Sequence, residues 1–257
     1  MELSEKIFNL LESHIKDCEK TNIFFFSQKG YCPCCDKEVL FFSNNHWLRD
    51  SLICTNCYSL PRERALMLTI EKYCPNWKNL YIHESSPIKR GASKKLMDFC
   101  KNYIASQYYG NLNNMKVDEY CNINLENQIF SNCQFDLVIT QDVFEHLYNP
   151  DKAFREIART LKPGGMCIFT VPIINKHKKT ELWATLLPDG TPNFLKTSEY
   201  HFNPVSSEGS PVTYHWGFDI IDYIRETSKL NTTIECLYDI HHGIMGEYNE
   251  VFISKKE

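Results

Sequence analysis

Phe135-Asp136-Leu137-Val138-Ile139-Thr140 is a short run with an unbroken apolar centre. That is the pattern of a strand covered on both faces, as in a parallel sheet. Working outward, Ala153 to Leu161 is amphipathic with helical period and is closed by Lys162-Pro163-Gly164-Gly165. The first glycine suits the left-handed residue that ends a helix, and the second lets the chain turn into the next strand, Met166 to Val171. Upstream, Pro61 to Ile70 and Ala92 to Cys100 read as helices, and Leu80 to Glu84, Tyr103 to Gln107 and Tyr120 to Ile123 as strands. An Asn-rich loop follows Gly110. Downstream, residues 173–216 are loop-rich, with Pro188, Pro192, Pro204 and Pro211. Asp219 to Ser228 is helical, and Thr232 to Tyr238 and Glu250 to Ser254 are the closing strands. Alternating strands and helices imply an α/β fold, a doubly wound sheet of about seven strands with right-handed crossovers. The closing strands have no room for a helix between them, so the last should run antiparallel. Ligands in such sheets lie at the carboxyl ends of the strands, which brings Glu84, Gln107, Asn124, Gln141 and Asp142 to one crevice.

The amino-terminal quarter is a different object. Leu3, Ile7, Leu10, Leu11, Ile15 and Cys18 follow a helical period among charged residues, so the first twenty residues read as a helix and not a signal peptide. Cys32-x2-Cys35 and Cys54-x2-Cys57 are separated by about eighteen residues. A C-x2-C turn offers two sulfurs to one ion, and two such turns make a tetrahedral thiolate set. The expected structural Zn2+ ligands are therefore Cys32, Cys35, Cys54 and Cys57, with Cys34 a bystander. Four thiolates close the coordination sphere and leave no position for water. Domain boundaries follow: 1–60 for the helix and zinc knuckle, 61–257 for the α/β domain, with 173–216 as a lid on the substrate side.

The chain has no apolar stretch near the roughly 18 residues needed to span a bilayer. Reduced cysteines outside a disulfide framework and no leader point to the cytoplasm. The net charge of -4 disfavours a long polyanion as substrate, because phosphate binding needs clustered cations. Between Cys35 and Cys54 the charges are Asp36, Lys37, Glu38, Arg49 and Asp50, which is no basic patch.

The run from Phe135 through Gln141-Asp142-Val143-Phe144-Glu145-His146-Leu147, then Ala153 to Arg159 and Leu161-Lys162-Pro163-Gly164-Gly165, resembles the Rossmann-like class I S-adenosylmethionine-dependent methyltransferases. The whole chain is similar to a group of bacterial methyltransferases of the type 11 kind with a Cys-rich head. Leu48-Arg49-Asp50, Pro61-Arg62-Glu63-Arg64-Ala65-Leu66, His83-Glu84-Ser85-Ser86-Pro87, Glu199-Tyr200-His201-x-Asn203-Pro204 and Gly246-Glu247 carry that narrower likeness. The resemblance implies S-adenosylmethionine as cofactor and S-adenosylhomocysteine as product. Their implied contacts are Glu84, Ser85, Ser86, Gln107, Asn124, Leu125, Gln141, Asp142, Val143 and His146. It also implies a small-molecule acceptor, phosphorylated or sugar-linked, of the kind met in polysaccharide biosynthesis. Where the family has a Gly-rich loop this chain has Glu84-Ser85-Ser86-Pro87, and Gln107 and Asn124 stand where the family has acids.

Methyl transfer needs an aligned nucleophile, and a base only when a hydroxyl or ammonium must lose a proton. Histidine titrates near neutrality, so His201 and His215 in the lid are the base candidates, with Tyr200 beside them. Arg62, Arg64, Lys89 and Arg90, if they converge, would bind a phosphate or carboxylate on the acceptor. O-methylation is the expected reaction; N-methylation, a nucleic-acid substrate and an inactive scaffold are the alternatives. The sequence is silent on oligomeric state.

Overall fold

The computed structural model describes residues 26–110, 116–117, 120–203 and 205–257. The helix expected over the first twenty residues lies outside them, as does most of the Asn-rich stretch after Gly110. Strands β1 (Phe26–Cys32), β2 (Lys37–Ser43) and β3 (Ile53–Cys54) form a small antiparallel sheet. A short helix α1 (Leu48–Ser51) joins β2 to β3, and α2 (Pro61–Tyr73) follows, with Pro61 at its first turn as the sequence suggests.

The main sheet then begins with β4 (Tyr81–Ser85), crosses through α3 (Gly91–Phe99), and continues with β5 (Asn102–Gln107), β6 (Lys116–Val117), β7 (Tyr120–Asn122) and β8 (Phe135–Gln141). Helix α4 (Pro150–Thr160) leads to β9 (Leu161–Thr170). Residues 173–216 contain six short strands: β10 (Glu181–Leu182), β11 (Ala184–Leu186), β12 (Pro192–Phe194), β13 (Tyr200–Asn203), β14 (Ser206–Pro211) and β15 (Tyr214–His215). Helix α5 (Ile220–Ser228), β16 (Asn231–Glu235) and β17 (Val251–Lys255) close the chain.

The sheet order is β16-β17-β9-β8-β4-β5-β7-β6. Strands β7, β5, β4, β8 and β9 are parallel, whereas β17 runs antiparallel to both β9 and β16. The doubly wound class is thus observed, with a two-residue eighth strand, β6, paired antiparallel on β7 at the edge.

Both faces of the centre are covered. Leu137 and Ile139 pack with Ala65, Leu66 and Ile70 of α2 and Leu96 of α3, while Val138 packs with Phe154 and Ile157 of α4 and Ile220 and Ile224 of α5. Alternation with period 2 sends neighbours to opposite sides, so a run apolar on both faces needs a layer on each. The first cluster also contains Cys32, Phe41, Leu52 and Cys54, so one core runs across residue 60. Lys95 of α3 adds a polar tie, donating to the Pro33 carbonyl at 2.8 Å and to Asp36 and Glu71 at 2.7 and 2.8 Å.

One reading of the sequence changes. Helix α4 stops at Thr160, and its cap residue Leu161 is already extended and paired with Phe135. Gly164 does adopt φ 78°, but four residues later, at a register shift between β8 and β9. Its left-handed turn therefore lets the β9 backbone bulge; it does not end the helix.

Candidate active site

The four predicted cysteines come together. Cys32 Sγ lies 3.7 Å from Cys57 Sγ, and Cys35 Sγ lies 3.9 Å from Cys54 Sγ. All four sulfurs fall within 4.8 Å of one another. A tetrahedral ion with ligands at about 2.3 Å sets sulfurs about 3.8 Å apart, so the donor set and its spacing fit zinc. Each C-x2-C turn is closed by a residue in the left-handed region, Asp36 at φ 53° and Tyr58 at φ 58°. Hydrogen bonding first from Cys34 and then from the other sulfurs drives the Cys32 thiol far below the ordinary range, while that to Cys32 drives Cys35 far above it. Cys34 itself is buried and donates to the Glu63 carbonyl at 3.6 Å, the bystander the spacing suggested. Arg64 lies buried beside the cluster, bonded to the carbonyls of Ser59, Leu52 and Gly243. Its guanidinium would offset the negative charge that four thiolates leave around a bound dication.

The crevice at the strand ends is organised differently from the sequence expectation. Glu84 does not present its carboxylate to the crevice. It is fully buried and accepts hydrogen bonds from Ser93 Oγ (2.6 Å), Tyr103 OH (2.7 Å) and Gln141 Nε2 (2.9 Å). That network ties β4, β5, β8 and α3 together beneath the surface. Asp142 is also spoken for. Its carboxylate meets Arg49 Nη2 at 2.8 Å, Arg62 Nε at 2.9 Å and Thr170 Oγ1 at 2.9 Å. Burial resists that charge, but the two arginines overcome it and hold the acid down at about 2. It caps no helix, because the turn 144–146 that follows has no side-chain cap.

The remaining predicted cofactor residues line the end of the sheet. Ser85 ends β4, and Ser86 takes φ 58°, the left-handed conformation a glycine adopts without strain. The Ser86 amide donates to the Ser106 carbonyl at 2.7 Å, so the β4–β5 ladder extends past the strand. Gln107 ends β5, with no side-chain partner among the described residues. Asn124 Oδ1 accepts from the Glu126 amide at 2.9 Å, forming a local turn, and Leu125 is buried against Phe135 and Val138. Gln141 keeps a buried oxygen without a partner, and Val143 stands at the start of the turn after β8. Gly91 starts α3 at φ 56°, where an added Cβ would lie 2.2 Å from Glu63 Oε2. The same Glu63 carboxylate binds Arg90 Nε at 3.0 Å.

The four basic residues therefore do not gather as an anion site. Arg62 is paired with Asp50 and Asp142, Arg64 with three carbonyls, Arg90 with Glu63, and Lys89 lies over the Tyr120 ring.

The 173–216 segment is fastened to the turn after β8. Thr213 donates its amide to the Glu145 carbonyl at 2.7 Å and its hydroxyl to the Leu147 carbonyl at 2.7 Å. Five ionisable side chains meet there. Glu199, which the sequence left unassigned, bridges His201 Nε2 at 3.3 Å and His215 Nε2 at 2.8 Å. His215 stacks on Trp183 with centroids 3.8 Å apart. His146 donates Nδ1–H to the Pro211 carbonyl at 2.9 Å and is held below its ordinary pKa by burial. Glu145 is buried among them and, lacking a cation of its own, is pushed up to about 8. Tyr200 is half exposed beside Phe194, outside this cluster. The cluster offers paired proton acceptors at the strand ends, which is what proton removal from a bound hydroxyl requires.

Comparison with known proteins adds to this geometry. A family model described as Methyltransferase domain matches residues 87–169, from the turn after β4 through β9. Over an alignment of 71 residues that covers 24% of this chain, the chain is 37% identical to the ubiquinone biosynthesis O-methyltransferase of Pseudomonas syringae pv. tomato. The same match recurs in Pseudomonas fluorescens proteins of that name. The matched segment spans 30% of the length of those relatives. Among solved structures, an S-adenosylmethionine-dependent methyltransferase from Mesorhizobium loti is 12% identical, with 75% of this chain and 98% of that one covered at TM-score 0.49. One from Methanosarcina mazei is 14% identical, covering 73% and 96% at TM-score 0.45. No helix among the described residues is long and apolar enough to cross a membrane.

Proposed function

We propose that the protein transfers a methyl group from S-adenosylmethionine to a hydroxyl of a small polar acceptor in the cytoplasm. The observation that carries this reading is the methyltransferase-domain segment ending in a strand-end crevice roofed by the Glu199-linked histidines. Its cofactor supplies a methyl group already electrophilic through the sulfonium. Ser85, Ser86, Gln107, Asn124, Leu125 and Val143 hold that cofactor. Glu84 and Asp142 shape the floor without touching it, as does Gln141 through its bond to Glu84. Gln107 fits a ribose hydroxyl because its amide is uncommitted at the end of β5.

His215 is the base. Its Nε2–H donates to Glu199 at the shorter of the two distances, which leaves Nδ1 as the basic nitrogen. Stacking on Trp183 stabilises the imidazolium that forms, because a cation is attracted to the ring face. Tyr200 belongs to the exposed wall on the acceptor side. With Arg62, Arg64 and Arg90 all paired, the acceptor is a sugar-like hydroxyl compound and not one gripped by its phosphate. Zn2+ on Cys32, Cys35, Cys54 and Cys57 serves the structure, holding the element that delivers Arg49 and Arg62 to Asp142.

Calorimetric titration with S-adenosylhomocysteine tests the reading. Micromolar binding is expected, about tenfold weaker in Gln107→Ala through the loss of one or two hydrogen bonds, and unchanged in His215→Ala. Absence of binding to the wild-type protein overturns it.

A further inference from the structure

Glu145 is held in the interior with nothing to bond to. Its side chain is 2% exposed, and neither carboxylate oxygen has a hydrogen-bond partner among the described residues. Two ring nitrogens face it: His146 Nε2 at 3.8 Å and His201 Nδ1 at 4.0 Å, both measured to Oε1. Neither nitrogen carries a proton when its ring is neutral. The Pro211 carbonyl bonded to His146 Nδ1 only accepts, so the proton of that ring sits on Nδ1 and Nε2 is bare. The Glu199 carboxylate likewise takes the Nε2–H of His201 and leaves Nδ1 bare. With Glu145 ionised, three acceptors converge with no donor between them, and a cation is what such a set can hold. The same two partners fix the ring tautomers, which is how outer groups orient metal-binding histidines.

The local charge points the same way. Arg49 and Arg62 are matched by Asp50 and Asp142, whereas the ionic contacts of Glu145 and Glu199 are with histidines. Once Glu145 is ionised, two carboxylates in excess leave room for a double positive charge.

The geometry points to a divalent transition-metal ion bound by Glu145 Oε1, His146 Nε2 and His201 Nδ1. One carboxylate and two imidazoles favour Zn2+, Co2+, Mn2+ or Fe2+ over Ca2+ or Mg2+, which take oxygen sets. Bonds of about 2.1 Å place tetrahedral ligands about 3.4 Å apart, so the cluster closes by roughly half an ångström on binding. His201, the most exposed of the three at 38%, makes that movement. Three protein ligands leave a position open to water or to the acceptor. Because Glu145 and His146 follow β8 and His201 lies on β13, the ion pins the lid to the sheet. The site is distinct from the four cysteines, and it stands whether or not methyl transfer is the activity.

Cobalt tests it. Protein with zinc already on its cysteines is titrated with Co2+, followed by visible absorption and calorimetry. One equivalent is expected, with ligand-field bands and no thiolate charge-transfer band. Its affinity falls by roughly 100-fold in Glu145→Gln and in His201→Ala, since loss of even an outer partner costs 10–100-fold. Glu145→Gln preserves side-chain volume and His201→Ala alters a partly exposed lid residue, and circular dichroism confirms that each is folded. The proposal fails if no equivalent binds, if both folded variants keep it, or if cobalt appears only with the thiolate band. In the last case it has replaced zinc, and a proton on Glu145 is what resolves the conflict.

Discussion

Asp142, largely buried, and Glu145, fully buried, are carboxylates three positions apart on one turn, yet one is driven to about 2 and the other to about 8. Burial pushes both the same way, against the charged form. The difference is what each side of the turn supplies. Toward the amino-terminal element, Asp142 meets two guanidiniums and a hydroxyl. On the other side, Glu145 meets two bare histidine nitrogens, because each ring carries its proton on the opposite nitrogen, bonded to Pro211 or Glu199. Desolvation sets the demand for compensation, and partner chemistry decides whether the charge survives. A floor that must stay fixed is built from a closed ion network, and a site that must accept something is left short of a partner.

The largest break in this contrast comes from the cysteines. Stripping Zn2+ with a strong chelator removes binding free energy of about 10 kcal/mol or more, which in such small elements is folding free energy. The β1–β3 sheet carries α1 and therefore Arg49, so zinc loss is expected to release Asp142 from its partners. Limited proteolysis should then cut within 26–60, and thermal unfolding should move down sharply. An unchanged melting curve at a zinc-to-protein ratio of zero would remove the structural role given to the four thiolates.

Next in size is Arg49→Ala. Removing one partner of a buried pair costs roughly 3–5 kcal/mol, because the other charge is left uncompensated. Asp142 is depressed below its ordinary value, so its contribution is present above about pH 4 and is lost as pH falls toward 2. In Arg49→Ala the folded pKa of Asp142 rises toward the ordinary value, so that acid limb should shrink. Combining it with Asp142→Asn in a double-mutant cycle should return a coupling well above the 0–1 kcal/mol of an exposed pair. A coupling within that range would mean Arg62 alone holds the carboxylate.

Much of this architecture is legible in the chain, for physical reasons. The apolar centre of β8 and the helical period of α4 are local patterns, and the lack of a helical pattern between the closing strands points to an antiparallel return. The cysteine spacing encodes its own geometry, since a C-x2-C turn brings two sulfurs together whatever lies around it. Partnerships across the fold leave no such trace. Arg49 and Asp142 are 93 positions apart, and nothing near either says that they meet. Glu84 reads as a ligand at a strand end, yet the pleat turns its side chain inward to Ser93 and Tyr103. Gly164 reads as a helix stop because sequence shows that a left-handed residue is needed there but not which element needs it. The isolation of Glu145 is the least legible feature, because lacking a partner is a property of the surroundings and not of the residue.

Glu145→Gln sharpens the comparison with the smallest expected effect, and one of opposite sign. In protein without added divalent ions, Glu145 keeps its proton in the folded state up to about pH 8, while the unfolded chain releases it near the ordinary carboxylate value. Its folded pKa is raised, so its contribution is fully present at low pH and is lost as pH climbs through that window. Glutamine has the same shape and no charge, so it should remove this slope. Denaturant titrations should find the variant close to wild type near pH 4 and more stable by on the order of 3 kcal/mol near pH 8.5, with an upper slope of about 1.4 kcal/mol per pH unit. Saturating Co2+ should flatten the wild-type curve as well, because the cation takes the place of the proton, and should leave the variant unaltered. A variant less stable than wild type at pH 8.5 would mean that Glu145 has a cationic partner in solution, and the contrast with Asp142 would disappear.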